Sequence, residues 1–168
     1  MDHQHDGADI ETFLASRWSR LLAVALASGL SRADAEDAVQ TALAKVVTSW
    51  DKVRGARNPD AYVARMVLNS SRDIYRRRAR REPHERDGFA EPSQCDRESI
   101  EQAVVLRAAL AQLSVEHRAV VILKYTFNFT DPEIGEVLSI PVGTVKSRLS
   151  RGLRNLQTVL ASQGVASA

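Results

Sequence analysis

The stretch from Thr130 to Leu156, TDPEIGEVLSIPVGTVKSRLSRGLRNL, constrains the fold more than any other part of the chain, because it spells two short helices joined by a tight turn. Thr130 is placed to cap the first helix and Glu133, three residues on, completes a capping box; Pro132 falls in the first turn, where a missing N–H does no harm. Ile134, Val137 and Leu138 give that helix a face to bury. After the Ser139-Ile140-Pro141 turn, Val145, Leu149, Leu153 and Leu156 recur at helical spacing. Lys146, Arg148, Arg151 and Arg154 fill the other faces, with Thr144, Ser147 and Ser150 among them, and no acid occurs between residues 144 and 154. An ordinary amphipathic helix with a solvated basic face is the plainer explanation of such a pattern. The turn, the cap and the missing acids favour instead a helix-turn-helix that reads DNA. Its second helix would bring backbone N–H groups toward phosphate, and its cations can reach guanine O6 and N7.

The rest of the chain is compatible with helices alone. Of its 168 residues, 44% are hydrophobic but only 5% aromatic, which suits packing built on Ala, Leu and Val, and alternating β-branched runs are scarce. The length allows one medium domain or two small ones. The net charge of +2 is small, but the charges are segregated. Residues 1–16 hold Asp2, Asp6, Asp9 and Glu11 with no Lys or Arg, whereas residues 72–81 hold six arginines against Asp73. The single cysteine, Cys95, excludes an internal disulfide and any multi-cysteine metal site, in keeping with a reducing compartment. An acidic N-terminus without an apolar core, and no run near 18 apolar residues, predict a soluble cytoplasmic protein. No metal or cofactor is expected: His3 and His5 sit in a polar tail without further ligands, and His84 and His117 are isolated.

Helical text fills the chain up to Arg81. Ile10 to Gly29 reads as one apolar-rich helix ending at a glycine, and Ser31 opens a second that runs to about Trp50 with Asp34, Glu36 and Asp37 in its first turns. Ala35, Ala38, Val39, Ala42, Leu43 and Val46 line its core side, leaving Glu36, Asp37, Gln40 and Lys45 for solvent or a partner. A loop from Asp51 to Asn58 leads to Pro59, which starts a third helix to about Arg81, and these three helices are expected to enclose one small core. Residues 82–99 are different: Pro83, Gly88 and Pro92 break helix, and six acids outweigh Arg86 and Arg97, as in a flexible acidic linker that opposes collapse of basic faces onto one another. Periodicity resumes near Ser99 with Ile100, Val104, Leu106, Leu110 and Leu113, followed by a helix from about Val115 to Tyr125. The expectation is an all-α protein of two small helical domains: 1–81, a linker 82–99, and a four-helix domain over 100–160 that ends in the helix-turn-helix.

The helix PDAYVARMVLNSSRDIYRRRARR carries the other chemical signal. Tyr62, Val63, Met66, Val67 and Ile74 can pack inward, while Arg65, Asn69, Arg72, Arg76 and Arg77 project outward beside Tyr75. Arginines hold phosphates, asparagine reads base edges and aromatic rings stack on unpaired bases, so the combination suits partly single-stranded nucleic acid. A basic run satisfying a helix C-terminus is the ordinary alternative.

Both halves together resemble the extracytoplasmic-function class of bacterial sigma factors, the initiation subunits of RNA polymerase. The runs ALAQLSVEHRAVVILKY and TDPEIGEVLSIPVGTVKSRLSRGLRNL are similar to that family's minus-35 domain, ADAEDAVQTALAKVVTSWDKV to its polymerase-clamp helix, and NPDAYVARMVLNSSRDIYRRRARR to its minus-10 helix. The resemblance spans roughly residues 10–160 in the family order. It implies core-polymerase contact at Asp34, Glu36, Asp37 and Gln40. It implies minus-10 recognition and melting at Asn69, Arg72, Arg76 and Arg77, with Arg57 and Asn58 holding a flipped base, and minus-35 contacts at Thr144, Lys146, Ser147, Arg148 and Arg151. The implied partners are core RNA polymerase, through its largest-subunit clamp and its flap, and promoter DNA; an anti-sigma factor is a further candidate that no residue here reveals. The family has no catalytic residues, no cofactor and no membrane insertion. Departures are Tyr62 in place of a tryptophan, Pro141 in place of a capping serine, and Gly135 in place of alanine, which by propensity should weaken its helix by up to about 1 kcal/mol. A helix-turn-helix regulator that binds duplex operator DNA without polymerase is the alternative; a metal-dependent nuclease would need clustered carboxylates that the chain does not offer.

Overall fold

A computed structural model describes residues 3–81 and 97–162, with side chains over 9–78 and 104–162; within these residues all regular structure is α-helical. Residues 82–96 of the expected acidic linker, Cys95 and His84 among them, lie outside the described residues.

The first half builds five helices where three were expected. α1 (His3–Ala15) and α2 (Trp18–Ala27) divide the apolar segment that reads as one helix, and α1 begins at His3, within the stretch expected to be a tail. The division has a side-chain cause. The Arg17 guanidinium turns back to donate to the Phe13 carbonyl at 3.2 Å and lies 3.7 Å over the Phe13 ring, while also pairing with Asp60. Ser16 Oγ donates to the same carbonyl at 3.0 Å, so side chains take up an acceptor near the end of α1. Two residues past the end of α2 the chain turns at Gly29, whose φ of 84° is left-handed and suits a residue without Cβ. α3 (Arg32–Thr48) is capped by Ser31, whose hydroxyl accepts from Asp34 N. The expected loop after it opens with the short α4 (Trp50–Arg54), and α5 (Pro59–Arg81) follows. Val39, Val46, Val53, Val63 and Val67 are fully buried where α3, α4 and α5 meet. Each such side chain contributes roughly 1.5–3 kcal/mol relative to exposure. Tyr62, expected inward, is 38% exposed because its neighbours Ala61 and Val63 take the buried positions of that turn.

The second half comprises α6 (Arg97–Gln112), α7 (Val115–Phe127), α8 (Asp131–Leu138) and α9 (Val142–Ser162). α6 starts two residues before the expected resumption of periodicity, and it buries Ala109 and Leu110, with Leu113 buried just past its end. Val104 and Leu106, assigned inward by spacing, are each 45% exposed, while α9 is the main helical neighbour of α6 among the described residues. α7 buries Val120, Val121, Ile122 and Leu123, and Ile134, Val137 and Val145 close the core from α8 and α9.

The two halves are not held apart. α2 packs on α7 and α5 on α8, so the buried side chains of both halves form one continuous apolar cluster. The Arg20 guanidinium lies 5.1 Å from the centroid of the Phe127 ring across this seam, and Val115 approaches Gly29. Apolar burial shared by α2 with α7 and by α5 with α8 joins the two halves.

Candidate nucleic-acid interface

The helix-turn-helix forms as its residues dictate. Thr130 Oγ1 accepts from Glu133 N, and Glu133 Oε2 accepts from Thr130 N at 2.8 Å, completing the capping box, with Pro132 in the first turn. The turn into α9 runs through Ser139, whose φ of 58° is left-handed, and Ile140 N donates to the Gly135 carbonyl at 3.0 Å. This turn is why the position is a glycine: an added Cβ on Gly135 would lie 2.9 Å from the Ile140 carbonyl oxygen. The expected loss of helix propensity is therefore the wrong measure of this residue, since close backbone approach decides it.

α9 runs to Ser162, with Val145 fully buried and Leu149, Leu153 and Leu156 packed against the core. Lys146, Ser147 and Arg151 project from it exposed, while Thr144 and Arg148 are half-buried. Arg148 points back to α7, where its guanidinium meets Glu116 Oε1 at 3.0 Å. Three of the five expected minus-35 residues are thus exposed, Thr144 is half-buried, and Arg148 shares a carboxylate with the helix behind it.

On α5, Asn69, Arg72, Arg76 and Arg77 are exposed as the spacing predicts, with Tyr75 beside them at 61% exposure, and Arg57 is exposed in the preceding turn. Asn58 is the exception. Its Oδ1 accepts from Ala61 N at 3.0 Å, capping α5, and its Nδ2 donates to Glu133 Oε1 of α8 at 2.7 Å. Arg72 Nη2 donates, at 3.4 Å, to the carbonyl of Leu138, the last residue of α8. The Asn58 amide, with the Thr130 N–H and hydroxyl behind it, holds the Glu133 carboxyl below the usual carboxylate range against a smaller opposing effect of burial.

The acidic face of α3 divides. Asp37 and Gln40 are exposed, and Glu36 is half-buried and bonded to Arg32 at 2.8 Å. Asp34 is 7% exposed, accepts from Ser31 and pairs with Arg78 of α5 at 2.9 Å. Its carboxylate is thus committed inside the fold, apart from the outward positions of Asp37 and Gln40.

Sequence reasoning missed two participants. Glu133 was read only as a cap. Arg118 is 8% exposed and its Nη2 donates to the carbonyls of Ala111 and Leu113 at 3.0 Å, tying the end of α6 to α7. Burial lowers its pKa from the ordinary guanidinium value. An arginine followed directly by the apolar run Ala119–Leu123 was the available signal. Between the halves lies a cleft of about 970 Å³ that brings Arg72 and Arg76 of α5 together with Arg148 of α9. Among the described residues no group of His, Cys, Asp and Glu is arranged to hold a metal, and no helix is long and apolar enough to cross a membrane.

Comparison with known proteins agrees with this geometry half by half. Residues 14–81 match the family model for sigma-70 region 2, and residues 103–156 that for sigma-70 region 4. The chain is 30% identical over 156 residues to the RNA polymerase sigma-E factor of Streptomyces avermitilis, covering 92% of this chain and 87% of that one. It is 35% identical over 144 residues to the ECF RNA polymerase sigma factor SigL of Mycobacterium tuberculosis, covering 79% and 78%. Among solved structures, the sigma factor RpoE of Bartonella quintana, crystallised with the anti-sigma factor NepR, is similar with a TM-score of 0.77, 25% identity and coverage of 91% and 97%.

Proposed function

From the premise that the chain belongs to the extracytoplasmic-function sigma factors, we propose how its surfaces divide the work of promoter recognition. The chain binds core RNA polymerase and directs it to promoters. A regulator that reads operator DNA without polymerase has no need of region 2, and the match over residues 14–81 speaks against that alternative.

The observation that carries the division is a pair of helices, α5 and α9, each burying an apolar stripe and exposing cations. We assign residues 1–81 to polymerase and minus-10 binding, and residues 100–160 to the minus-35 element. Arg72, Arg76 and Arg77 hold the backbone of the melted strand, and Asn58, Asn69 and Arg57 hold extruded bases, a step that costs only a few kcal/mol once the duplex is weak. Thr144, Lys146, Ser147, Arg148 and Arg151 contact duplex DNA in the major groove. Asp37 and Gln40, with Glu36 at their side, face the polymerase clamp, and the flap is the further polymerase contact we assign. Tethering both DNA readers to one polymerase raises their effective concentration, so two weak sites select jointly. The chain performs no catalysis of its own and works in the cytoplasm beside the polymerase. An anti-sigma factor is a partner by analogy with the Bartonella quintana protein.

Reconstituted transcription with core polymerase and a promoter library tests the assignment. Arg148→Ala with Arg151→Ala is expected to abolish promoter use while leaving polymerase binding intact, and Asp37→Arg with Gln40→Ala to lose polymerase binding. If the second variant bound core polymerase as well as the parent, the assigned docking face would be wrong.

A further inference from the structure

Arginine is a poor residue for opening a helix, and Arg17, at the N-cap of α2, makes no side-chain cap bond there. Local helix chemistry therefore does not account for it. Its guanidinium bonds elsewhere: Nε pairs with Asp60 in the first turn of α5, while Nη1 donates to the Phe13 carbonyl at 3.2 Å and to Ser16 Oγ at 2.9 Å. The ion pair is mostly covered, with side-chain exposures of 22% and 27%, so salt screens it less than a surface pair.

Phe13 extends this contact to a second helix. The guanidinium lies 3.7 Å over its ring, and the ring meets Trp50 edge to face with centroids 5.2 Å apart. Trp50 opens α4, just before the turn over residues 55–58, and Asp60 stands just after it. That turn carries Arg57, which is exposed, and Asn58, whose Oδ1 accepts from Ala61 N at 3.0 Å. The corner between α1 and α2 thus grips the turn from both flanks. A turn free to move loses conformational freedom each time it closes on a base, and discrimination tolerates misplacement of only about 0.5 Å.

Resting on the assignment of Arg57 and Asn58 to extruded bases above, we infer that Arg17 and Phe13 are positioning residues for that recognition. Neither contacts DNA. Arg17 acts through Asp60 and Phe13 through Trp50, and together they set where the turn presents its base-reading groups.

The test reads base preference in holoenzyme. The parent holoenzyme selects a promoter from a random library, and each position of the minus-10 element is then varied in turn. The position whose preference is lost in Arg57→Ala with Asn58→Ala is the one this turn reads. There, Arg17→Ala is expected to lower the preference about tenfold, the scale of one displaced hydrogen bond to a charged group. Preference at the other positions and affinity for core polymerase are expected to stay as in the parent. Asp60→Ala is expected to give the same loss, and the double variant no more than either single one, because the pair acts as a unit. Arg17→Lys, whose ammonium still pairs with Asp60, is expected to keep most of the preference. Phe13→Leu, which removes the ring but keeps an apolar side chain, is expected to lose about threefold, the scale of one aromatic contact.

A residue that only stabilised the fold would lower the melting temperature and weaken all promoter positions alike. Such an even loss, an undiminished preference in Arg17→Ala, or losses that add in the double variant would each overturn the inference. Should Arg17→Ala fail to fold, Asp60→Ala and Arg17→Lys decide: loss in the first with retention in the second supports the inference, and equal preference in both overturns it. If Arg57→Ala with Asn58→Ala alters no base preference, the assignment of the turn falls and the inference with it. If that pair alters one position and Arg17→Ala does not, the inference alone falls.

Discussion

The Asn58 amide donates to the Glu133 carboxylate at 2.7 Å, although 75 residues separate them in sequence. Each also caps a helix: Asn58 the start of α5 and Glu133 the start of α8. Two N-terminal caps therefore meet at the boundary between the halves, so the state of one carboxyl bears on both local helix stability and the packing of α8 on α5.

Glu133 accordingly makes stability depend on acid. Its folded pKa is lowered, first by Asn58 and then by the Thr130 N–H and hydroxyl. The stabilisation is thus fully present above the ordinary carboxylate value and is lost as pH falls through the lowered one. Below about pH 5 the melting temperature of the parent is expected to fall more steeply than that of Glu133→Gln, whose amide preserves the cap without titrating. Parallel slopes in a pH series of thermal melts would show that this contact contributes nothing to the acid response.

Gly135 and Gly143 offer a matched pair of alanine substitutions. Helix propensity alone favours alanine at both by up to about 1 kcal/mol. At Gly135, however, the new Cβ would sit 2.9 Å from the Ile140 carbonyl, a backbone atom held by the turn, whereas at Gly143 nothing lies within 4 Å. Gly135→Ala is expected to destabilise by about 1–2 kcal/mol and Gly143→Ala to be neutral or mildly stabilising. Denaturant midpoints for the two variants check the sign of each.

These positions also mark where sequence reading stops. The capping box, the turn and the stripe Val145–Leu156 were legible because each depends on residues within a few positions of one another. The outward set Asn69, Arg72, Arg76 and Arg77 followed from the 3.6-residue period alone. The break at Arg17 was not legible, since Asp60, its ion partner, lies 43 residues away. Val104 and Leu106 share a helical face with core residues, yet each is 45% exposed, since burial depends on tertiary neighbours and not on helical period. Asp34 reads as a surface acid until Arg78 is brought beside it. Contacts of long sequence separation have no local signature, and the placement of α8 on α5 is of that kind.

Arg118 is expected to matter for stability out of proportion to its place in a DNA-binding family. Its Nη2 satisfies two carbonyls, of Ala111 and Leu113, where α6 ends. Truncation to alanine leaves both acceptors without that donor and opens space beneath α7, a combined cost of about 2–4 kcal/mol. Thermal melts should show Arg118→Ala lowered by roughly 5–15 °C. Arg118→Lys is expected to recover only part, because an ammonium on a flexible stem lacks the planar fork. Full recovery by lysine would mean that charge alone, without guanidinium geometry, suffices.

On the minus-35 assignment proposed above, Glu116 competes with DNA for Arg148. The pair is 3.0 Å apart, with Arg148 25% and Glu116 65% exposed, so water and salt screen it and its strength is about 1 kcal/mol or less. A phosphate or guanine must take Arg148 from this carboxylate, and the carboxylate in turn repels an approaching backbone. Glu116→Gln removes both effects while preserving shape, so holoenzyme affinity for a duplex bearing the minus-35 element is expected to rise by up to about fivefold. The gain should vanish in an Arg148→Ala background, and it should shrink as ionic strength rises and the charges are screened. A gain that persists without Arg148 would place the effect of Glu116 on the general field of the surface instead of on this one guanidinium.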